Sequence, residues 1–197
     1  MNCPACGALV SGDEALCGHC GAALSVHNGI AVVAVKPLPP FFPVPVWKLA
    51  LMSLVTFGLY EFYWFNRNWQ RIRVREDLDI RPSLRALFSF FFCYACCARI
   101  KAYGVRRAVV PAPPIALLSL AWMLIKLCVL LPEPLRFLSL FGFLPLLGVQ
   151  VYVNRINSRE MPEHDRNARL TGWNWVGIVV GGGVWTVDLL WLFLMFR

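Results

Sequence analysis

The thirty residues from Val46 to Arg75 (VWKLALMSLVTFGLYEFYWFNRNWQRIRVR) leave this chain few choices. They open as an apolar helical run and close in aromatics and arginines, the pattern of a segment leaving a bilayer. From Val46 to Trp64 only Gly58 interrupts the helix, and Lys48 and Glu61 sit near its two ends. Tyr60, Tyr63, Trp64 and Trp69 read as an interfacial aromatic belt. Arg67, Arg71 and Arg75 recur at helical spacing, which predicts a cationic face suited to anionic headgroups.

Composition supports a membrane reading. Of 197 residues 58% are hydrophobic and 15% are charged, against roughly 45–50% and about 25% in an ordinary soluble domain. The net charge of +8 invites a nucleic-acid partner, but its distribution argues against one. Residues 1–27 hold Asp13 and Glu14 and neither Lys nor Arg, and the cations flank apolar segments, where headgroups and the positive-inside bias account for them. No basic start followed by an apolar run marks residues 1–12 as a secretory signal.

Residues 1–24 carry CPAC-G and CGHC-G, so Cys3, Cys6, Cys17 and Cys20 form two C-x-x-C pairs. Four thiolates fill the tetrahedral shell of zinc and leave no open position, which predicts a structural zinc ribbon folded by its metal. Two disulfides and a rubredoxin-like iron site are the competing readings. His19 lies between two ligands as a bystander, and His27 lies outside the knuckles. In the 25–45 linker, Pro37, Pro39, Pro40, Pro43 and Pro45 forbid a helix and predict a stiff, extended tether. A proline-rich ligand for a partner domain is the alternative.

Lys48, Leu51, Ser53, Thr56, Gly58, Tyr60, Tyr63 and Trp64, followed by Arg67, Asn68 and Trp69, match K-x-x-L-x-S-x-x-T-x-G-x-Y-x-x-Y-W. This pattern resembles the signature of an uncharacterised bacterial membrane-protein family, some of whose members carry an N-terminal zinc ribbon. RPSLRALFSFFFCYACCARI resembles that family's second segment, so the likeness covers roughly residues 1–105. It implies an architecture of 46–105 as membrane or interfacial helices and carries no activity.

Residues 82–97 are apolar but short of the roughly 20 a crossing helix needs. Their Cys93, Cys96 and Cys97 read as packing residues, with palmitoylation or a redox pair as alternatives. Within the 106–197 helical region, 115–131 and 135–153 predict a hairpin turning at Pro132-Glu133-Pro134, its second arm kinked at Pro145. Residues 173–196 read as the cleanest spanning helix, with Gly177 and Gly181 as a G-x-x-x-G step for packing or homodimerisation. Lys126 and Asp188, both at membrane depth, predict an intramembrane ion pair, while Glu61 faces Arg67 or the headgroups.

The expected fold is thus an α-helical integral membrane protein of about three to five membrane segments with a small N-terminal zinc ribbon. The positive-inside rule and the reduced thiols together place it in the inner membrane as a multi-pass protein with the ribbon cytoplasmic, provided that 46–65 and 82–98 dip in without crossing. No H-E-x-x-H, G-x-S-x-G or phosphate loop is present, and Glu163, His164 and Asp165 read as a solvated turn, so no enzyme is expected. Two functions fit: a membrane-anchored module whose ribbon binds a protein partner or senses, and a small transporter, channel or lipid-handling protein.

Overall fold

A computed structural model describes residues 38–132 and 135–195. The chain divides into two units, Met1–Leu38 and Pro39–Arg197. The ribbon ligands Cys3, Cys6, Cys17 and Cys20, and the linker up to Pro37, lie outside the described residues.

The first apolar run does not make one long helix. Helix α1 (Val46–Val55) stops after ten residues. Thr56 Oγ1 donates back to Met52 O at 2.6 Å and accepts from the Tyr60 N–H at 3.0 Å, joining the end of one helix to the start of the next. Between them Phe57 (φ 53°) and Gly58 (φ 87°) enter the left-handed region that favours glycine. The chain then doubles back as α2 (Leu59–Glu76). Residues 40–42, ahead of α1, bond to Asn68, Arg71 and Arg75 near the far end of α2, so the two helices are antiparallel.

The second apolar run also breaks, at Phe88, into α3 (Pro82–Leu87) and α4 (Ser89–Arg106). Helix α5 (Ile115–Leu127) passes through a 3₁₀ turn, Cys128–Leu130, and a second 3₁₀ stretch, Leu135–Gly142, leads into α6 (Phe143–Glu160). Pro145 falls in the first turn of α6, just after the change from 3₁₀ to α geometry at Gly142. Helix α7 (Gly172–Met195) closes the chain.

The expected fold class is therefore corrected. The described chain is all helical, but only one stretch in it, Leu135–Glu160, is long and apolar enough to cross a bilayer. The runs read as separate membrane segments are cut at Gly58, at Phe88 and by the 3₁₀ turn after Leu127. Nor is any group of three or more His, Cys, Asp or Glu among the described residues placed to hold a metal.

The described part of the linker is no tether. Residues 39–45 form a non-helical strap, bent at Pro40 and Phe41, at the centre of the helices, with Phe41, Phe42 and Val44 buried. Around it lie Trp64, Trp69 and Ile72 of α2, Ile100 of α4, and Val153 and Ile156 of α6, all fully buried. Proline still explains why the stretch is not helical. The two adjacent phenylalanines explain the burial, since each ring removes a large apolar area from water.

Helix α7 sits on α1 through its glycines. Gly177 lies against Met52 and Thr56, and at Gly181 an added Cβ would strike the carbonyl oxygen of Val55. Trp185 Nε1 donates to Leu54 O at 3.2 Å, and its ring stacks on Phe57 at 5.1 Å. The G-x-x-x-G step is thus used within the chain. The other faces of α7, including Trp173, Val179 and Val187, are exposed.

At one end of the body Arg107 pairs with Glu160 at 2.8 Å, and Arg159 donates to Ala108 O at 2.8 Å. Lys48 Nζ donates to Asn167 O (3.0 Å), Asn167 Oδ1 (3.1 Å) and Arg169 O (2.8 Å). These contacts gather the ends of α4 and α6, the start of α1 and the loop before α7. Arg106, Arg107, Arg155, Arg159, Arg166 and Arg169 are all exposed around them.

Candidate functional site

The reversal at Gly58 brings Glu61 into the first turn of α2, where the helix dipole favours a carboxylate. Glu61 is buried, and both of its oxygens are taken. Oε2 accepts from Trp122 Nε1 at 2.6 Å and Oε1 from Lys126 Nζ at 2.8 Å. Trp122 and Lys126 stand four residues apart on α5 and so share a face. Lys126 reaches Ser139 O at 3.4 Å as well. Its stem needs two glycines: a Cβ on Gly142 would lie 2.5 Å from Lys126 Cε, and one on Gly58 would lie 2.8 Å from Nζ. The arrangement clamps the helix reversal to α5 and to the start of α6. With every strong polar atom of the pair engaged, it presents no free base and no nucleophile.

Lys126 therefore has an ion partner, and it is Glu61 rather than the expected Asp188. Asp188 is half-buried on α7 and makes none of the ion pairs found among the described residues. Glu61 likewise pairs with Lys126 and Trp122 rather than with Arg67. The basic face also resolves differently. Arg71 donates to Pro39 O and, at 2.9 Å, to Phe41 O, while Arg75 donates to Pro40 O at 2.9 Å and lies 4.4 Å over the Phe41 ring. Both cations thus turn inward onto the strap. Burial is the main cause that pushes the Arg71 guanidinium down to about 10. Arg67 donates to Gln70 at 3.1 Å and lies over Tyr63. Of the expected aromatic belt, Trp64 and Trp69 are core residues, and Trp64 Nε1 donates to Gln150 Oε1 at 2.5 Å.

Cys93, Cys96 and Cys97 are free thiols sealed in the core. Burial raises the Cys96 thiol well above its usual value, and a hydrogen bond with Cys93 together with burial does the same for Cys97. Inaccessible in the core, the three pack as small hydrophobes; neither acylation nor thiolate chemistry fits them. His164, expected on a solvated turn, is buried with Nδ1 2.6 Å from Met161 O.

Reading the sequence missed the polar core. Lys48, Asn68, Gln150 and Asn157 are all buried and hydrogen-bonded. The usable signal was polar residues at helical spacing inside apolar runs. Several signature residues acquire roles this way: Lys48 fixes the loop before α7, Thr56 links α1 to α2, Gly58 makes the reversal, and Asn68 holds the strap. No protein-family model matches the chain, and no curated protein or solved structure matches it either. The signature resemblance rests on its residues alone.

Proposed function

We propose that the chain is a membrane-anchored protein whose helical body sits against lipid and holds an N-terminal zinc-binding segment at the membrane surface for a protein partner. One observation carries the anchoring. Leu117, Leu120, Leu124 and Leu127 fall on one face of α5 and are 64, 52, 55 and 42% exposed. A helix of a soluble protein turns such a stripe inward, and large exposed apolar patches mark surfaces covered by lipid or by a partner. Exposed apolar residues of α7 add to this surface, and the stretch Leu135–Glu160 is long and apolar enough to cross. The arginine-rich end fits the headgroup region of the inner membrane's cytoplasmic face. Four zinc thiolates need a reducing compartment, which the cytoplasmic face supplies.

The transporter reading is weaker, because the charge pair that would line a route is a closed contact with both carboxylate oxygens occupied. The test is extraction and sidedness in one preparation. The protein is expected in the membrane fraction, resistant to alkaline carbonate, with N-terminal thiols reached by an impermeant reagent only after cells are opened and metal is removed. Recovery of a monodisperse chain without detergent overturns the anchor, and labelling in intact cells overturns the cytoplasmic ribbon. Given anchoring, Cys17→Ser is expected to leave insertion intact and to lose the partner.

A further inference from the structure

The arginines of the helical body differ in what they face. Arg71 and Arg75 turn inward onto the strap, Arg85 lies 4.6 Å over the Trp69 ring, and Arg99 pairs with Glu76. Arg106, Arg155, Arg166 and Arg169 are exposed, and among the described residues their side chains make no hydrogen bond or ion pair. They come from the ends of α4 and α6 and from the loop before α7, yet the fold collects them at one end. The Arg107–Glu160 pair and the bond from Arg159 to Ala108 O, both at 2.8 Å, tie the end of α4 to that of α6. Arg155 stands one turn before Arg159 and shares its face of α6. Asn154 donates to Val44 O at 3.0 Å, which sets the start of α1 beside this stretch, and Lys48 holds the carbonyls of Asn167 and Arg169 there. Carboxylates are fewer. Glu160 is taken by Arg107, Asp165 Oδ1 accepts from the Asn167 N–H at 2.8 Å, and Glu163 is exposed. In the hairpin at the opposite end of α5 and α6, residues 127–142 contain one carboxylate and one cation, Glu133 and Arg136.

Water solvates four guanidiniums well, but it does not suit what lies among them. Val105 and Val110, on either side of the Arg106–Arg107 turn, are exposed. Trp173, four residues after Arg169 at the start of α7, is 85% exposed, and Trp175 is exposed behind it. Cations interleaved with bare aliphatic and aromatic side chains match the boundary between phosphate headgroups and acyl chains, where arginine meets phosphate and tryptophan lies at headgroup level. A nucleic-acid backbone offers the phosphates but leaves the apolar side chains in water. We propose that this end of the body binds anionic phospholipid headgroups, with Arg106, Arg155, Arg166 and Arg169 on the phosphates and Trp173 at the acyl boundary. This selectivity presupposes the lipid anchoring proposed above and adds a lipid class to it. The guanidinium fork matches two phosphate oxygens at once. With no carboxylate already held, these four give up no ion pair on binding. A headgroup of net negative charge is preferred over a zwitterionic one, whose own cation faces the arginines and offsets the attraction.

The experiment uses the full-length protein reconstituted into phosphatidylcholine vesicles that carry a minor fraction of phosphatidylglycerol. Either the phosphatidylglycerol or an equal fraction of the phosphatidylcholine has brominated acyl chains, and quenching at Trp173 is read as wild type minus Trp173→Phe. Phosphatidylglycerol is expected to be enriched about fivefold over phosphatidylcholine at this position, the worth of one arginine near an anionic surface. In about 1 M salt, where the screening length falls to about 3 Å, the enrichment is expected to vanish with no residue changed. Changing Arg106, Arg155, Arg166 and Arg169 to glutamine is expected to remove it at low salt and to leave the unfolding midpoint in place. Equal quenching by the two lipids overturns the proposal, as does an enrichment that survives the glutamine changes or the high salt. Binding of a short DNA oligonucleotide through these arginines, without lipid preference, overturns it and assigns the surface to nucleic acid. Wild-type protein that floats with neither kind of vesicle overturns the anchoring itself, a result distinct from flotation without preference.

Discussion

Residues 46–65 and 172–195 are alike in apolarity and opposite in outcome. The second is one unbroken helix, α7, resting on α1 through its glycines with many of its described apolar side chains exposed. The first breaks after ten residues and folds back, and α1 and α2 bury Lys48, Ser53 and Glu61. The difference lies in a few polar residues and one glycine. In α7 Thr186 is exposed and Asp188 is only half-buried, so neither calls for a turn. In the first run a buried carboxylate and a buried ammonium each need partners that a straight helix could not bring. A hydropathy average weights all twenty residues equally; the fold was decided by about four of them.

The comparison is most sharply tested at the charge pair. Lys126→Met leaves Glu61 buried and uncompensated and is expected to lower stability by about 3–5 kcal/mol. The double variant with Glu61→Gln is expected to recover a large part of that loss, which denaturant unfolding in mild detergent would measure. Additive losses would mean that the two residues do not act as a pair. Next in size is the reversal itself. Gly58→Ala puts a Cβ at φ 87° and 2.8 Å from Lys126 Nζ, with an expected cost of about 2 kcal/mol.

The unbroken helix supplies its own internal control. Gly181→Ala drives a Cβ into the Val55 backbone and is expected to cost about 1–3 kcal/mol, because α1 and α7 must move apart. Gly183→Ala, with nothing within 4 Å of the new methyl, is expected to stay neutral or to stabilise by up to about 1 kcal/mol. Equal effects at the two positions would show that α7 does not sit on α1 as described. Both read out as shifts in midpoint in the same unfolding assay.

These residues also mark what could be read from sequence. That Lys126 needed a buried counter-charge was legible, because an ammonium in an apolar run is costly anywhere. Its partner was not, since Glu61 comes within reach only after the reversal at Gly58, and one glycine in a helical pattern does not announce a turn. The spacing of Arg71 and Arg75 correctly put them on one face. Periodicity, however, tells which residues share a face and not what lies opposite, and opposite lay the strap. The prolines of 39–45 correctly excluded a helix. The phenylalanines between them were the overlooked sign that the stretch would be buried.

The strap also constrains when the body can be completed during synthesis. Phe41 bonds to Asn157, 116 residues further along the chain. On a ribosome that makes the chain from its N-terminus, the strap emerges long before α6 exists to hold it. Until then its two aromatic rings and unpaired backbone stay available to any chaperone or membrane component that meets them. Closing so long a loop is a late and entropically costly step, so the earliest described segment to be made is among the last to be seated.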